Sequence, residues 1–354
     1  MARLIFNRNL FIFFSIILLL SNSGCKKEET INNTNKDWET VGSININKFP
    51  LTLCSDPSGN IYVAGFTDGN NQYYVLKWNG SAWSILGNLR SNSAIYYLSS
   101  DLNGNIYASG QLVDNADTYY YVAKWDGSSW TDLGLHDPYG GNMLITVTDR
   151  VGALYATSSS GPGDNVYAYI GGSSWSNLGS IDPNNSITTI ASDGAGKVYE
   201  VLYSNSLYPP VVAVYNGGWT QLPQVTAEYS NNAKTSCITP NGDFYMGGNL
   251  YDKIGKSFYV AKWNGSSWTK LGGLSGEIES ICTDNQGNLY AAGSLFGGSN
   301  REGFDVMKWD GTKWIALGSL DSKLNIHAIC SDPTGNIYAE GHFGSSYSIK
   351  KYKK

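Results

Sequence analysis

Short apolar runs bounded by Gly, Asn, Asp or Ser recur along most of the chain, as in Ile61-Tyr62-Val63-Ala64 and Tyr74-Val75-Leu76. Runs of this length, rich in β-branched and aromatic residues and closed by turn formers, read as strands. No long amphipathic helical stretch interrupts them. Two turn sequences recur between the runs. The first is Asp56-Pro57-Ser58-Gly59 and its relatives, where Asp opens the turn, Pro suits its second position and Gly takes the φ > 0 site. The second is Asn79-Gly80, Asp126-Gly127, Asn264-Gly265 and Asp310-Gly311, which predicts a two-residue type I′ hairpin with Trp78 opposite Ser81. Trp78 and Trp83 then project from one face, and Trp125 with Trp130, Trp263 with Trp268 and Trp309 with Trp314 repeat the arrangement.

Aligned on itself, the chain shows seven copies of one unit. An apolar strand leads into Asp-x-x-Gly-Asn-Ile-Tyr, and after a variable stretch comes Val-x-Lys-Trp-Asn-Gly-Ser-x-Trp-x-x-Leu-Gly. Its marker glycines are Gly59, Gly104, Gly152, Gly196, Gly242, Gly287 and Gly335, spaced 44 to 48 residues apart. That period fits four-stranded propeller blades rather than helical repeats near 33 residues. Asp37-Trp38-Glu39-Thr40-Val41-Gly42 matches the end of a unit, Ala82 to Gly87, whereas the last copy stops at Lys351-Tyr352 and lacks that end. The two fragments sum to one blade. The expected fold is therefore all-β: a seven-bladed β-propeller over residues 37–354, with four-stranded antiparallel blades and a ring closed by the N-terminal strand pairing with the C-terminal blade.

Met246-Gly247-Gly248, the tyrosines after each first turn and the Trp-x-x-Leu-Gly endings, taken in that order, resemble kelch and bacterial SBBP-type β-propeller repeats over essentially all of residues 37–354. The resemblance implies a fold far more than a function, because propellers host binding modules and enzymes alike.

Composition agrees, with 25 Tyr, 11 Trp, 41 Gly and only 15% charged residues favouring short strands and tight turns. The N-terminus changes the picture. Arg3 and Arg8 precede an apolar run from Leu10 to Leu20 and then small polar residues, the layout of a secretory signal peptide over residues 1–24. Ser21-Asn22-Ser23-Gly24-Cys25 resembles a lipobox, which implies lipidation of Cys25, a membrane anchor and a bacterial lipoprotein. Residues 25–36 read as a flexible tether, and its Lys26-Lys27-Glu28-Glu29 resembles the signal sending Bacteroidetes lipoproteins to the outer face of the outer membrane. The expected location is the outer membrane, surface-exposed. Losing the two arginines takes the net charge from −5 to −7, and an acidic chain with no basic stripe argues against nucleic acid as a partner. A monomer is expected.

Candidate chemistry is sparse. Cys54, Cys237, Cys282 and Cys330 all lie five residues before a marker glycine, where other copies carry Ser99, Val147 and Ala191. One small buried slot used four times predicts structural thiols rather than disulfides. His136 is expected in a loop beside Asp137. No Gly-x-Ser-x-Gly elbow, sialidase box or phosphate-cradling loop occurs, so no catalytic set, cofactor or metal site is assigned. Strand alternation puts both variable connections of each unit on one rim, rich in Tyr, Asn, Ser and Gly, a mixture that recognition surfaces use. Two positions of the unit are expected to face a ligand there. Eight residues before the marker glycine stand Leu51, Tyr96, Leu144, Thr188, Lys234, Glu279 and His327; after the second-strand glycine stand Phe66, Gln111, Ser159, Tyr203, Asn249, Ser294 and His342. The candidate binding residues are Phe66, Tyr96, Gln111, Tyr203, Lys234, Asn249, Glu279, His327 and His342. The leading expectation is a surface-anchored, non-catalytic module recognising a glycan or an envelope protein. The alternatives are a polysaccharide-acting hydrolase or lyase using Glu279, Glu340, His327 and His342, or a scaffold subunit of an outer-membrane assembly.

Overall fold

The structure is a computed structural model that describes residues 37–353, apart from 44–51, 68–72, 90, 115–116, 138–143, 159–162, 204–208, 226–228, 296–303, 319, 321 and 344–345. The signal segment, Cys25, the tether and Leu51 lie outside the described residues.

Among the described residues all regular structure is β, in seven antiparallel four-stranded sheets. Strand β1 (Trp38–Thr40) opens the chain. Blade 1 holds β2 (Thr52–Ser55), β3 (Ile61–Thr67), β4 (Tyr73–Trp78) and β5 (Trp83–Ile85). Blade 2 holds β6 (Ser91–Ser100), β7 (Ile106–Asp114), β8 (Asp117–Trp125) and β9 (Trp130–Asp137). Blade 3 holds β10 (Thr146–Thr148), β11 (Leu154–Ser158), β12 (Asn165–Gly171) and β13 (Ser174–Gly179). Blade 4 holds β14 (Ile187–Ser192), β15 (Val198–Leu202), β16 (Val211–Tyr215) and β17 (Trp219–Gln221). Blade 5 holds β18 (Tyr229–Ile238), β19 (Phe244–Asp252), β20 (Ser257–Trp263) and β21 (Trp268–Leu274). Blade 6 holds β22 (Ile278–Thr283), β23 (Leu289–Gly293), β24 (Met307–Trp309) and β25 (Trp314–Ala316). Blade 7 is β26 (Ser322–Ser331), β27 (Ile337–Phe343), β28 (Ser346–Tyr352) and, on its outer edge, β1.

The first strands of consecutive blades contact one another all the way round, β26 against β2 included. This is the closed seven-bladed propeller expected from the repeats. At the closing seam Trp38 stands opposite Tyr352 and Thr40 opposite Lys350, which covers an edge that would otherwise be open to pairing.

The motif residues hold the ring by two devices. In the first turn the Asp carboxylate is a hub: Asp56 accepts the N–H groups of Ser58 and Asn60, the Asn60 amide and the Tyr62 hydroxyl, all between 2.6 and 2.9 Å. Asp101, with Asn105 and Tyr107, repeats the pattern. The Asp-x-x-Gly-Asn-x-Tyr signature is thus a self-satisfied turn, with Gly59 in the left-handed region at φ +82°. The second device is outer. Each fourth-strand tryptophan donates its indole N–H to a carbonyl of the preceding blade: Trp83 to Val41 (2.7 Å), Trp130 to Leu86 (2.6 Å), Trp175 to Leu133, Trp219 to Leu178, Trp268 to Pro223 and Trp314 to Leu271. Trp38 donates to Leu317, so the N-terminal strand joins the same girdle on both sides.

Hydroxyls staple the inner wall. Thr52, Thr235 and Ser280 accept the N–H groups of Leu98, Ile281 and Ile329 on the next blade, and Ser55 donates across the seam to the Ser331 carbonyl at 2.7 Å.

The second hairpin differs from the sequence expectation. Trp78 stands opposite Trp83, not with Ser81 as its partner, so the loop has four residues. Asn79 Oδ1 accepts the N–H groups of Ser81 and Ala82 at 2.9 Å, and Gly80 alone adopts positive φ (+95°). A type I′ turn needs φ > 0 at both centres; the Asn side chain instead closes a wider loop. The two rings still share a face, with centroids 5.4 Å apart. His136 also departs from expectation: it lies on β9, its Nε2 2.6 Å from Asp132.

Candidate functional site

Strand direction alternates within each blade, so the Asp-Gly and Asn-Gly turns share one rim and the variable connections share the other. On the latter, described residues of six blades converge on a cavity of about 650 Å³ at the axis. Blade 2 contributes Tyr96 and Tyr97, and blade 3 Ile145. Blade 4 contributes Ser186, Ile187, Thr188 and Tyr203. Blade 5 contributes Asn232, Ala233 and Lys234, blade 6 Glu279 and blade 7 His327. A narrower chamber of about 220 Å³ continues inward between the stapled first strands, with Thr52, Thr189, Thr235, Ser236 and Ser280 on its wall.

Five of the nine residues singled out from sequence meet here: Tyr96, Tyr203, Lys234, Glu279 and His327. All but Tyr203 belong to the position eight residues before the marker glycine, where each first strand enters the ring. Leu144 shares that position but is buried at 1% exposure.

The second position behaves differently. In blade 4, β15 ends at Leu202, so Tyr203 leaves the sheet and borders the cavity, its N–H bonded to Ser186 O at 2.7 Å. In blades 2, 5 and 7 the second strand runs on past its glycine. Gln111 stays in the ladder opposite Tyr120, Asn249 lies within β19, and His342 stands opposite Tyr347. None of the three lines the cavity. Phe66 is likewise in the ladder, opposite Tyr74, and its side chain lies outside the described set. Tyr97, Ile145, Ile187 and Asn232 were missed by sequence reasoning, although each lies within two residues of the repeated position.

The cavity has two unlike walls. On blades 5 to 7 the Lys234 ammonium donates to Glu279 at 2.6 Å and Glu277 at 3.1 Å. Burial works against its charge, but the hydrogen bonds and attraction of Glu279, then Glu277, hold its pKa above the ordinary lysine value. His327 goes the other way: burial, reinforced by Lys234 and opposed by Glu279, lowers its pKa and keeps the ring neutral at pH 7. On blades 2 to 4 the wall is mainly aromatic and aliphatic, with the hydroxyls of Ser186 and Thr188 between. Tyr203 is 44% exposed, and burial pushes the Tyr97 hydroxyl up to about 12.

Glu340 and His342, the other half of the enzymatic alternative, lie on β27 and are absent from the cavity lining. Glu340 is fully buried, and neither carboxyl oxygen has a hydrogen-bond partner; desolvation raises its pKa well above the glutamate value. Glu200, also fully buried, accepts the Ile181 N–H at 2.6 Å with one oxygen. Among the described residues no three His, Cys, Asp or Glu side chains gather as a metal ion would need. The four cysteines are free, and burial raises their pKa values, to about 12 for Cys237. Cys330 is buried, whereas Cys54, Cys237 and Cys282 are half-buried, so the repeated slot is less closed than the sequence implied.

No protein-family model matches the chain, and no curated protein matches it. Solved structures do resemble it in fold. A YCF48 structure bound to a D1 peptide aligns with a TM-score of 0.60 at 13% identity, covering 90% of this chain and 97% of that one. A catalytically inactive virginiamycin B lyase from Staphylococcus aureus with quinupristin gives 0.62 at 10% identity, covering 90% and 99%. The WD40 β-propeller domain of Doa1 gives 0.58 at 12% identity, covering 90% and 97%. At these identities the likeness shows the β-propeller architecture alone, in neighbours that include a peptide-bound protein and a lyase.

Proposed function

We propose that this chain is a non-catalytic binding module, lipid-anchored through Cys25, that holds a segment of another envelope protein in the axial mouth of its variable-connection rim. The observation that carries the reading is the convergence of six blades on one open cavity with an aromatic wall facing an ionic one. Such a site is built on rigid strands, since the residues next to those lining it are stapled between blades. It therefore presents aromatic area and hydrogen-bonding groups at small ordering cost. A neighbour of the same fold is bound to a peptide, which supports a protein segment over a glycan as the occupant. The anchor rests on the lipobox-like Ser21 to Cys25.

Two experiments test the reading. Metabolic labelling with a fatty acid should mark the wild-type protein and not Cys25→Ser; equal labelling refutes the anchor. In cross-linked envelope fractions the wild type should retain a partner that Tyr96→Ala/Lys234→Ala/His327→Ala loses at unchanged thermal stability. Retention by the triple variant, or glycan-array binding that free peptides do not displace, would refute the site or the ligand class.

A further inference from the structure

The walls of the cavity are segregated around the axis, and the segregation constrains what fits. Read round the ring at the entry position, blade 2 carries Tyr96 and blade 4 Thr188, whereas blades 5, 6 and 7 carry Lys234, Glu279 and His327. A mouth with one apolar side and one ionic side suits a guest that is itself two-sided.

The sign of the ionic side follows from its pairing. Lys234 is the only lysine or arginine among the described residues of the lining, and its ammonium is held by two carboxylates, at 2.6 Å from Glu279 and 3.1 Å from Glu277. The three groups sum to one negative charge, and His327 adds none while its imidazole is neutral. An anionic guest would have to pull Lys234 away from both glutamates and leave them facing each other uncompensated. A cationic guest adds to a network that already has one carboxylate in excess. The acidic balance of the whole chain, −5, acts in the same direction over longer range.

Resting on the reading of the axial mouth as the binding site, we infer that its ligand is a peptide segment carrying an arginine or lysine next to an aromatic or aliphatic residue. The cation meets the Glu277–Glu279 side, and its apolar neighbour lies on Tyr97, Ile187 and Tyr203.

The experiment is selection of a random displayed-peptide library on three forms of the protein: wild type, Glu277→Gln/Glu279→Gln, and Ile187→Trp/Thr188→Trp, whose two indoles narrow the mouth on its blade 4 side. Each variant is first checked for unchanged thermal unfolding. The wild type should enrich peptides in which arginine or lysine adjoins an aromatic or aliphatic residue at least fivefold over the unselected library. The double glutamine variant should return that frequency to the library level, and the double tryptophan variant should lower it at least threefold. Enrichment of acidic or uncharged peptides that the double tryptophan variant weakens would overturn the ligand class while leaving the mouth as the site. The same enrichment on wild type and the double tryptophan variant, or none on either, would overturn both.

Discussion

Replacing Glu200 by Gln should remove a pH dependence of stability that the fold builds in. Glu200 sits on β15 with no exposed surface. Its Oε1 accepts the Ile181 N–H at 2.6 Å, while Oε2 has no partner. Burial, only partly offset by the Ile181 and Ser180 hydrogen bonds, raises its pKa from 4.5 to about 7. In the unfolded chain the group ionises near 4.5, so between there and 7 the unfolded state sheds its proton first and gains relative to the folded one. Stability is therefore full below pH 4.5 and falls as pH rises through 7. At about 1.4 kcal/mol per pKa unit the loss is about 3 kcal/mol. Glutamine cannot ionise, keeps an acceptor for Ile181 and places an amide where Oε2 stood, at a fixed cost of about 1–3 kcal/mol if that amide finds no partner. Urea unfolding followed by tryptophan fluorescence between pH 4.5 and 8 measures both proteins. With equal m-values, the wild type should lose about 3 kcal/mol more than Glu200→Gln across that range. Glu340, in another blade, contributes to both and cancels in the difference. Parallel profiles would refute the reasoning, as would a variant whose deficit grows with pH.

Three further predictions follow from the girdle, its glycines and the thiols. Trp83→Phe leaves the Val41 carbonyl without the indole donor and should cost about 1–3 kcal/mol in urea unfolding; a neutral result would deny that these hydrogen bonds bind blade to blade. Gly87→Ala combines φ +64° with a Cβ 2.3 Å from the Trp125 ring and should cost about 2–4 kcal/mol, whereas Gly80→Ala, at φ +95° with nothing within 4 Å, should cost only about 1 kcal/mol; equal losses would refute the packing argument. The half-buried Cys54, Cys237 and Cys282 and the buried Cys330 should label slowly with a thiol-reactive dye in the native protein and fast in 6 M guanidinium, since thiols of raised pKa carry almost no thiolate; rapid native labelling of any of the four would contradict that environment.

The architecture was legible because it is written seven times. The Asp-Gly turns, the paired tryptophans and the split blade at Trp38 and Tyr352 each set one local geometry, and repetition removed the ambiguity that one copy leaves. The hairpin register was not legible, because Asn79-Gly80 is compatible with a two-residue turn and with a wider loop closed by the Asn side chain. Half of the site could be read. Tyr96, Lys234, Glu279 and His327 hold a fixed offset from the marker glycine, and the first strand always starts at the axis. The second position failed for Gln111, Asn249 and His342, because the length of strand after the glycine varies from blade to blade and decides whether the residue stays in the sheet. Glu200 had a visible signal that was overlooked: it occupies a slot where the other units carry Val63, Ala108, Ala156, Met246, Ala291 and Ala339.

The claim that a partner segment enters the axial mouth is tested most directly by a photo-crosslinking amino acid placed at Thr188, with the same group at Ser128 on the opposite rim as control. In envelope preparations, irradiation should join Thr188 to one defined peptide segment of one partner and leave Ser128 unjoined. Adducts at Ser128 with none at Thr188 would contradict the account.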